Sequence, residues 1–417
     1  MKFSMTLCGG ITAVSGLTLP FLIPERIYQA AASAPALPLS AFPKFETVKL
    51  QDAQQAAAGD STQENPEVAS TKVAEAGNRP APNDGNIHQN ATIASSNPEA
   101  AAPQDPAADD STNNTANSSS DNTPANAQKA QALPCGTPSP RPQWRAYPAR
   151  KQALVDAIAC LQSRPPSGDF APATSRYEDF VRLHQAWTPN IHNNDLFLLW
   201  HRYFVWSFEQ ALRTECGFAA DGLPWWDETR DAGRFAAAPV FTAEYFGSLP
   251  RGNGTEGTCV TDGRFAGTTL HIGPGAGSEP HCLSRAVDES MTAEVSKDYE
   301  NTCLSRSTYT DFARCWEQGP HGIGHNSIGS VMADVRSSPG DPVFWLHHLY
   351  VDRVFAAWQA RDATGARRRT VAGCADGARP CTPLTLQTLV PMGGLQKDVT
   401  VGEVLDTTDG AMCYTYQ

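Results

Sequence analysis

No Cys-x-x-Cys pair and no Glu-x-x-His motif occurs in this 417-residue chain, and residues 46–133 contain not one Phe, Trp or Tyr. The first absence argues against a zinc module; the second removes the ligand pattern of a di-iron carboxylate bundle. The third marks a stretch of Ala, Asn, Ser, Pro, Gln and Asp that cannot bury enough apolar surface to offset its chain entropy, so disorder is expected there. Basic charge is scarce as well. The net charge is −12, and residues 46–133 hold twelve acidic side chains against four basic ones. The remainder is nearly balanced and offers no basic stripe of the kind nucleic acid requires.

What is present at the start is a lone Lys2 and an apolar run from about Thr6 to Ile23, with small residues Ala30 and Ala32 as a cleavage site. This pattern is that of a secretory signal. Glycines and Pro20 weaken a membrane-spanning helix, so no stable membrane association is expected; an uncleaved anchor is the alternative. Ten cysteines follow Cys8, an even number, which favours structural disulfides and a secreted protein. Their pairing is not legible. Sequons at Asn90, Asn113, Asn117 and Asn253 would be glycosylated on an exported chain. The expected domains are a signal peptide at 1–32, a disordered acidic low-complexity segment at 33–133, and one catalytic domain at 134–417.

In that last region six histidines fall into two triads. Tyr177, Phe180, Val181, His184 and Trp187 repeat at three- and four-residue steps behind Thr174 and Ser175, which can cap a helix. After a loop from Thr188 through His192 to Asn194, Asp195 is placed to cap a second helix with an inner stripe of Phe197, His201, Phe204, Phe208 and Leu212, ended by Gly217. His321 and His325 stand one turn apart on a third. Asp341-Pro342 opens a fourth, whose stripe is Phe344, His348, Val351, Phe355 and Trp358. His347, about 100° round the helix from His348, reads as packing behind the ligands. His271 and His281 lie in a Pro- and Gly-rich insert of loops, residues 232–280, and read as structural; His88 lies in the acidic segment.

A lone core histidine is more often a hydrogen-bonded filler than a ligand, but six on inward helix faces point to two metal sites in a bundle core. Imidazole without carboxylate or thiolate suits copper, and three ligands per ion leave positions open for substrate or O2. Asp352, one turn after His348, is placed either to accept from the non-ligating ring nitrogen or to sit solvated. Phe197 and Phe344, each one turn before a histidine, would keep water from the metals.

The runs Phe197-Leu-Leu-Trp-His201-Arg202, His321-Gly-Ile-Gly-His325 and Asp341-Pro-Val-Phe-Trp-Leu-His-His348, with Asp352-Arg353, resemble those of the tyrosinase and catechol oxidase family of type 3 copper proteins. Pro224-Trp-Trp-Asp227 and Pro280-His-Cys-Leu283 resemble its short secreted fungal branch. The resemblance implies two copper ions, held by His184, His192 and His201 and by His321, His325 and His348. It also implies a mainly α fold, a four-helix bundle with long loops and few short strands. O2 would be the co-substrate, and small phenols, above all o-diphenols oxidised to o-quinones, the substrates. Rival outcomes are an o-aminophenol oxidase and a haemocyanin-like oxygen carrier. Asn190 stands where many members carry a cysteine joined to the second ligand, so no such crosslink is expected. Gly322 stands where ready monophenol hydroxylases often have Asn, which lowers the expectation of that activity. Val335 matches the family's gate position over the metals. The core ends at Tyr414-Thr-Tyr416, so the shielding domain that follows in longer members is not expected.

Overall fold

The computed structural model describes residues 34–60, 135–219 and 222–417. The expected signal peptide and residues 61–133 of the acidic segment lie outside the described residues. Helices run in the order α1 Leu50–Asp60, α2 Lys151–Ser163, α3 Arg176–Ile191, α4 Phe197–Cys216, α5 Glu289–Thr292, α6 Lys297–Leu304, α7 Tyr309–Trp316, α8 Gly322–Ile328, α9 Phe344–Ala360 and α10 Val401–Val404. Strands among the described residues are two or three residues long and pair only as two-stranded ribbons. One ribbon joins Ser139–Arg141 in parallel to Tyr414–Tyr416, so the two ends of the catalytic region close on each other. The architecture is therefore mainly α with long loops, as the sequence indicates. No described helix is long and apolar enough to cross a membrane.

Local chemistry explains the helix limits. Ser175 Oγ accepts the Glu178 N–H at 3.2 Å and starts α3, which runs on through Pro189 rather than stopping at the expected loop. Gly217, at φ 66°, ends α4 in the left-handed conformation that glycine adopts without strain. Asp195 does not cap α4. Its carboxylate accepts the Cys374 N–H at 2.7 Å, while Asn194 Oδ1 takes the Leu196 N–H that opens the helix. Likewise α9 starts later than expected, at Phe344. Asp341 Oδ1 accepts the Val343 N–H, but both its carboxylate oxygens are gripped by Arg285 at 2.7 and 2.9 Å.

Helix α4 packs on α9, α2 and α3, and the α4–α9 seam is aromatic. Phe208 lies flat on Trp345 with ring centroids 3.6 Å apart, and Phe180 of α3 meets both edge-on. Each such side chain, buried from water, stabilises the fold by roughly 1.5–3 kcal/mol. Between α7 and α8 the chain makes a π-helical turn at Glu317–His321. Gly319, where the turn kinks, sits so close to Tyr299 that a Cβ would fall 2.6 Å from its ring. Five disulfides pair all ten cysteines from Cys135 onward: 135–413, 160–216, 259–282, 303–315 and 374–381.

One expectation is corrected here. Residues 34–60, placed in the disordered segment, have defined structure. Leu37, Phe42, Phe45 and Ala53 are buried against the catalytic region. The stretch without aromatics begins only at residue 46, and the two phenylalanines just before it supply the apolar area that the composition of the longer segment denies.

Candidate metal centre

The bundle brings the six histidines together from four places. His184 comes from α3, His192 from the residue after it, His201 from α4, His321 and His325 from the π-turn and α8, and His348 from α9. All six are buried. In the first group the ring centroids are 5.0–5.5 Å apart, and in the second 4.7–5.3 Å. The two groups touch where His201 stacks on His348 at 4.6 Å and 13°.

Five of the six rings are held in one tautomer by the backbone. The Nδ1–H of His184 donates to Arg336 O at 2.8 Å, His192 to Thr188 O at 3.3 Å and His201 to Phe197 O at 2.9 Å. His321 donates to Glu317 O at 2.9 Å and His325 to Met332 O at 2.7 Å. A neutral imidazole whose Nδ1 carries the proton presents a lone pair at Nε2. These Nε2 atoms converge. Those of His184 and His201 are 3.4 Å apart, those of His325 and His348 3.1 Å, and those of His192 and His321 have no protein partner.

The lone pairs of His184 and His201, both fixed face to face in a buried site, repel unless a cation lies between them. A proton is not that cation at neutral pH, because burial pushes His184 down to about 4 and holds the other five well below the usual histidine range. The donor set therefore fits soft or borderline metal ions bound by nitrogen alone, copper among them. Within each group the candidate ligand atoms all lie within 4.8 Å of one another.

His347 shares this neighbourhood, with its ring 4.4 Å from His325. Its Nδ1, however, is 2.6 Å from Glu228 Oε1, and both groups are fully buried. Burial lowers the imidazole to about 3 and raises the carboxyl, so the pair shares one proton without a full charge on the ring. Glu228 was not foreseen from the sequence, because it lies 119 residues from His347 on a 3-10 turn that carries no motif.

Asp352 does not reach His348, whose Nδ1 has no protein partner. Its two oxygens are taken by Arg202 Nε at 2.5 Å, Tyr414 OH at 2.6 Å and Tyr416 OH at 2.5 Å, with Arg141 3.8 Å away. Two buried arginines outcompete a neutral ring for a carboxylate, so Asp352 ties α9 to α4 and to the C-terminal ribbon. Phe197 lies 4.6–5.8 Å from His321, His201 and His192, and Phe344 lies 4.1–5.8 Å from His348, His184 and His325. Val335 is half-buried, and its N–H donates to Pro43 O at 2.8 Å. Gly322 faces the backbone of Glu46.

The model of the common central domain of tyrosinase matches residues 174–361, which span both histidine groups. Tyrosinase P of Aspergillus terreus is 32% identical over 339 residues, an alignment covering 68% of this chain and 93% of that protein. The chain belongs to the tyrosinase family. A second tyrosinase relative, the N-acetyl-6-hydroxytryptophan oxidase of Emericella nidulans, is 30% identical over 67% of this chain and 92% of its own length. A solved polyphenol oxidase variant from Thermothelomyces thermophila is 31% identical and superposes with a TM-score of 0.61, covering 67% of this chain and 88% of that one. Tyrosinases are dicopper enzymes that use O2 and act on small phenols, so this protein is a copper oxidoreductase, and its five disulfides fit a secreted one.

Proposed function

We propose that this tyrosinase-family protein is a secreted dicopper oxidase that converts o-diphenols to o-quinones, with residues 134–417 as its catalytic domain. The observation that carries the reading is the convergence of Nε2 atoms from two buried imidazole triads, with five of the six Nδ1 protons fixed on carbonyl oxygens. His184, His192 and His201 would hold one copper ion, and His321, His325 and His348 the other. When bound, the pair supplies the two-electron chemistry that couples ring oxidation to O2 reduction. Two o-diphenols each give up two electrons and two protons, and one O2 takes up all four of each to become two water molecules.

The chain's own residues orient and exclude. The five Nδ1 anchors hold the lone pairs of five of the six rings in place, which reduces the reorganisation needed when a ligand arrives. Phe197 and Phe344 wall the imidazoles and keep bulk water from them. Gly322 offers no side chain to orient a water or to help deprotonate a phenol, so hydroxylation of monophenols is the weaker activity.

The test is O2 uptake by the copper-loaded protein with a catechol, tyrosine and an o-aminophenol, measured on one preparation beside a copper determination. Two copper ions per chain and fastest uptake with the catechol are expected. Fastest uptake with the aminophenol would reassign the substrate, and reversible O2 binding without turnover would make the protein a carrier.

A further inference from the structure

A third phenylalanine ring, besides those of Phe197 and Phe344, lies among the histidines. Phe45 stacks on His325 with centroids 4.2 Å apart and 23° between planes, and it meets His321 edge-on at 5.2 Å and His192 at 5.7 Å. It thus touches imidazoles of both groups. Asn326 sets its depth: the Phe45 N–H donates to Asn326 Oδ1 at 3.2 Å, and Asn326 Nδ2 donates back to Phe45 O at 2.8 Å.

The segment around it is fastened along its length. Cys282 N–H donates to Pro35 O, Leu39 N–H to Thr255 O, Val335 N–H to Pro43 O and Val48 N–H to Gln318 O, at 2.7–3.1 Å. Gly322 completes the seat, since a Cβ there would lie 3.0 Å from Glu46 O and 3.2 Å from Thr47 Cγ2. The position that lacks the family's Asn is the one on which this segment rests.

We propose that residues 34–57 form a built-in inhibitor in which Phe45 occupies the place of the substrate's aromatic ring, and that cutting the chain between residues 61 and 134 releases it. The proposal rests on the dicopper oxidase reading for what the site does. A phenol that reaches the converging Nε2 atoms must bring its ring between the same imidazole faces. Phenylalanine has that ring but no hydroxyl, so it fills the volume and can be neither bound through oxygen nor oxidised.

Two further facts favour a removable plug over a permanent strap. Residues 34–60 contain no cysteine, and the disulfides from Cys135 onward are closed among themselves, so no covalent bond other than the chain itself holds the segment. The chain that joins it to Cys135 carries no aromatic residue to dock. Because the link is covalent, the segment competes intramolecularly, at an effective concentration set by the length of the link, so even modest affinity inhibits while the link is intact. After a cut, the same segment competes only at its solution concentration.

The test uses the copper-loaded full chain with a specific protease site placed between residues 95 and 100 and cut after folding. Benzoate, a ring acid with nothing to oxidise, is the probe, and its binding is measured by calorimetry. The uncut chain is expected to bind benzoate at least tenfold more weakly than the cut chain after dilution, and uncut Phe45→Ala to bind like the cut form. A peptide of residues 34–57 should restore weak binding to the cut chain, and the same peptide with Phe45→Ala should not. Amide exchange over residues 43–48 should rise at least tenfold on cutting. Equal benzoate affinity for uncut and cut wild type, within twofold, overturns the proposal, and that comparison stands even if Phe45→Ala fails to fold. If affinity shifts as expected but no form takes up O2 with a catechol, the inhibitor stands and the oxidase reading falls. If the uncut chain oxidises a catechol as fast as the cut one, the inhibitor falls and the oxidase stands.

Discussion

Replacing Asp352 by Asn separates two roles that the sequence left open. The carboxylate neutralises Arg202 at 2.5 Å and lies 3.8 Å from Arg141, and all three side chains are at most 3% exposed. Arg141 keeps a second partner, Glu209 at 2.7 Å, but Arg202 is left with only neutral acceptors: Gln359 Oε1 and the carbonyls of Val404 and Leu405. Removing one member of a buried ion pair costs about 3–5 kcal/mol, because the other charge stays buried without compensation. With a urea dependence of about 3 kcal/mol per M, at the upper end for small proteins, the unfolding midpoint should fall by about 1–1.7 M. Tryptophan fluorescence in a urea series measures this. The folded variant should still bind two copper ions with unchanged affinity, because Asp352 touches no histidine. A copper affinity lowered 10- to 100-fold, the effect of losing a group that orients a ligand, would refute the reasoning. So would a midpoint shift below about 0.3 M, which would mean that Arg202 finds full compensation elsewhere.

Three other outcomes are expected. His348→Ala should lower the copper content from two ions to one per chain, whereas His347→Ala should keep two; equal loss in both would make His347 a ligand. Tyr177→Phe should cost roughly 1–3 kcal/mol, read as a lowered Tm. The hydroxyl donates to Pro339 O at 2.6 Å and accepts from Trp345 Nε1 at 3.0 Å, and both groups would be left buried and unpaired. The metal-free protein should lose stability as pH falls from about 6.5 toward 4. The unfolded chain takes up protons on its histidines near 6.5, while burial holds folded His184 neutral down to about 4 and His347 to about 3, so acid favours the unfolded state. His184 alone contributes about 3 kcal/mol across that window, at about 1.4 kcal/mol per pH unit. Glu317, raised by burial to about 8, works in the opposite direction above pH 4.5, as do Glu228 and Asp334, also raised by burial, but eight histidines are lowered against these three. A Tm independent of pH between 6.5 and 4.5 would contradict this.

Periodic apolar spacing made the ligand-bearing helices legible, since Phe180 and His184, Phe197 and His201, and Phe344 and His348 must share a face one turn apart. Cap chemistry was legible where the partner is local, as for Ser175, and failed where it is remote. Asp195 serves Cys374 and Asp341 serves Arg285, far along the chain. Asp352 failed for the same reason, because arginines and tyrosines from other elements hold it.

Phe45 was missed although the cue is present: two phenylalanines and a proline stand in Ala41-Phe-Pro-Lys-Phe45, beside a long run with no aromatic residue at all. The sequence by itself determined the helix faces, the two imidazole triads and the family they belong to, because periodicity and ligand spacing are local properties of a chain. Only the tertiary structure decided which carboxylate backs His347 and what lies over the site, because those contacts join residues more than a hundred positions apart whose approach no local spacing encodes.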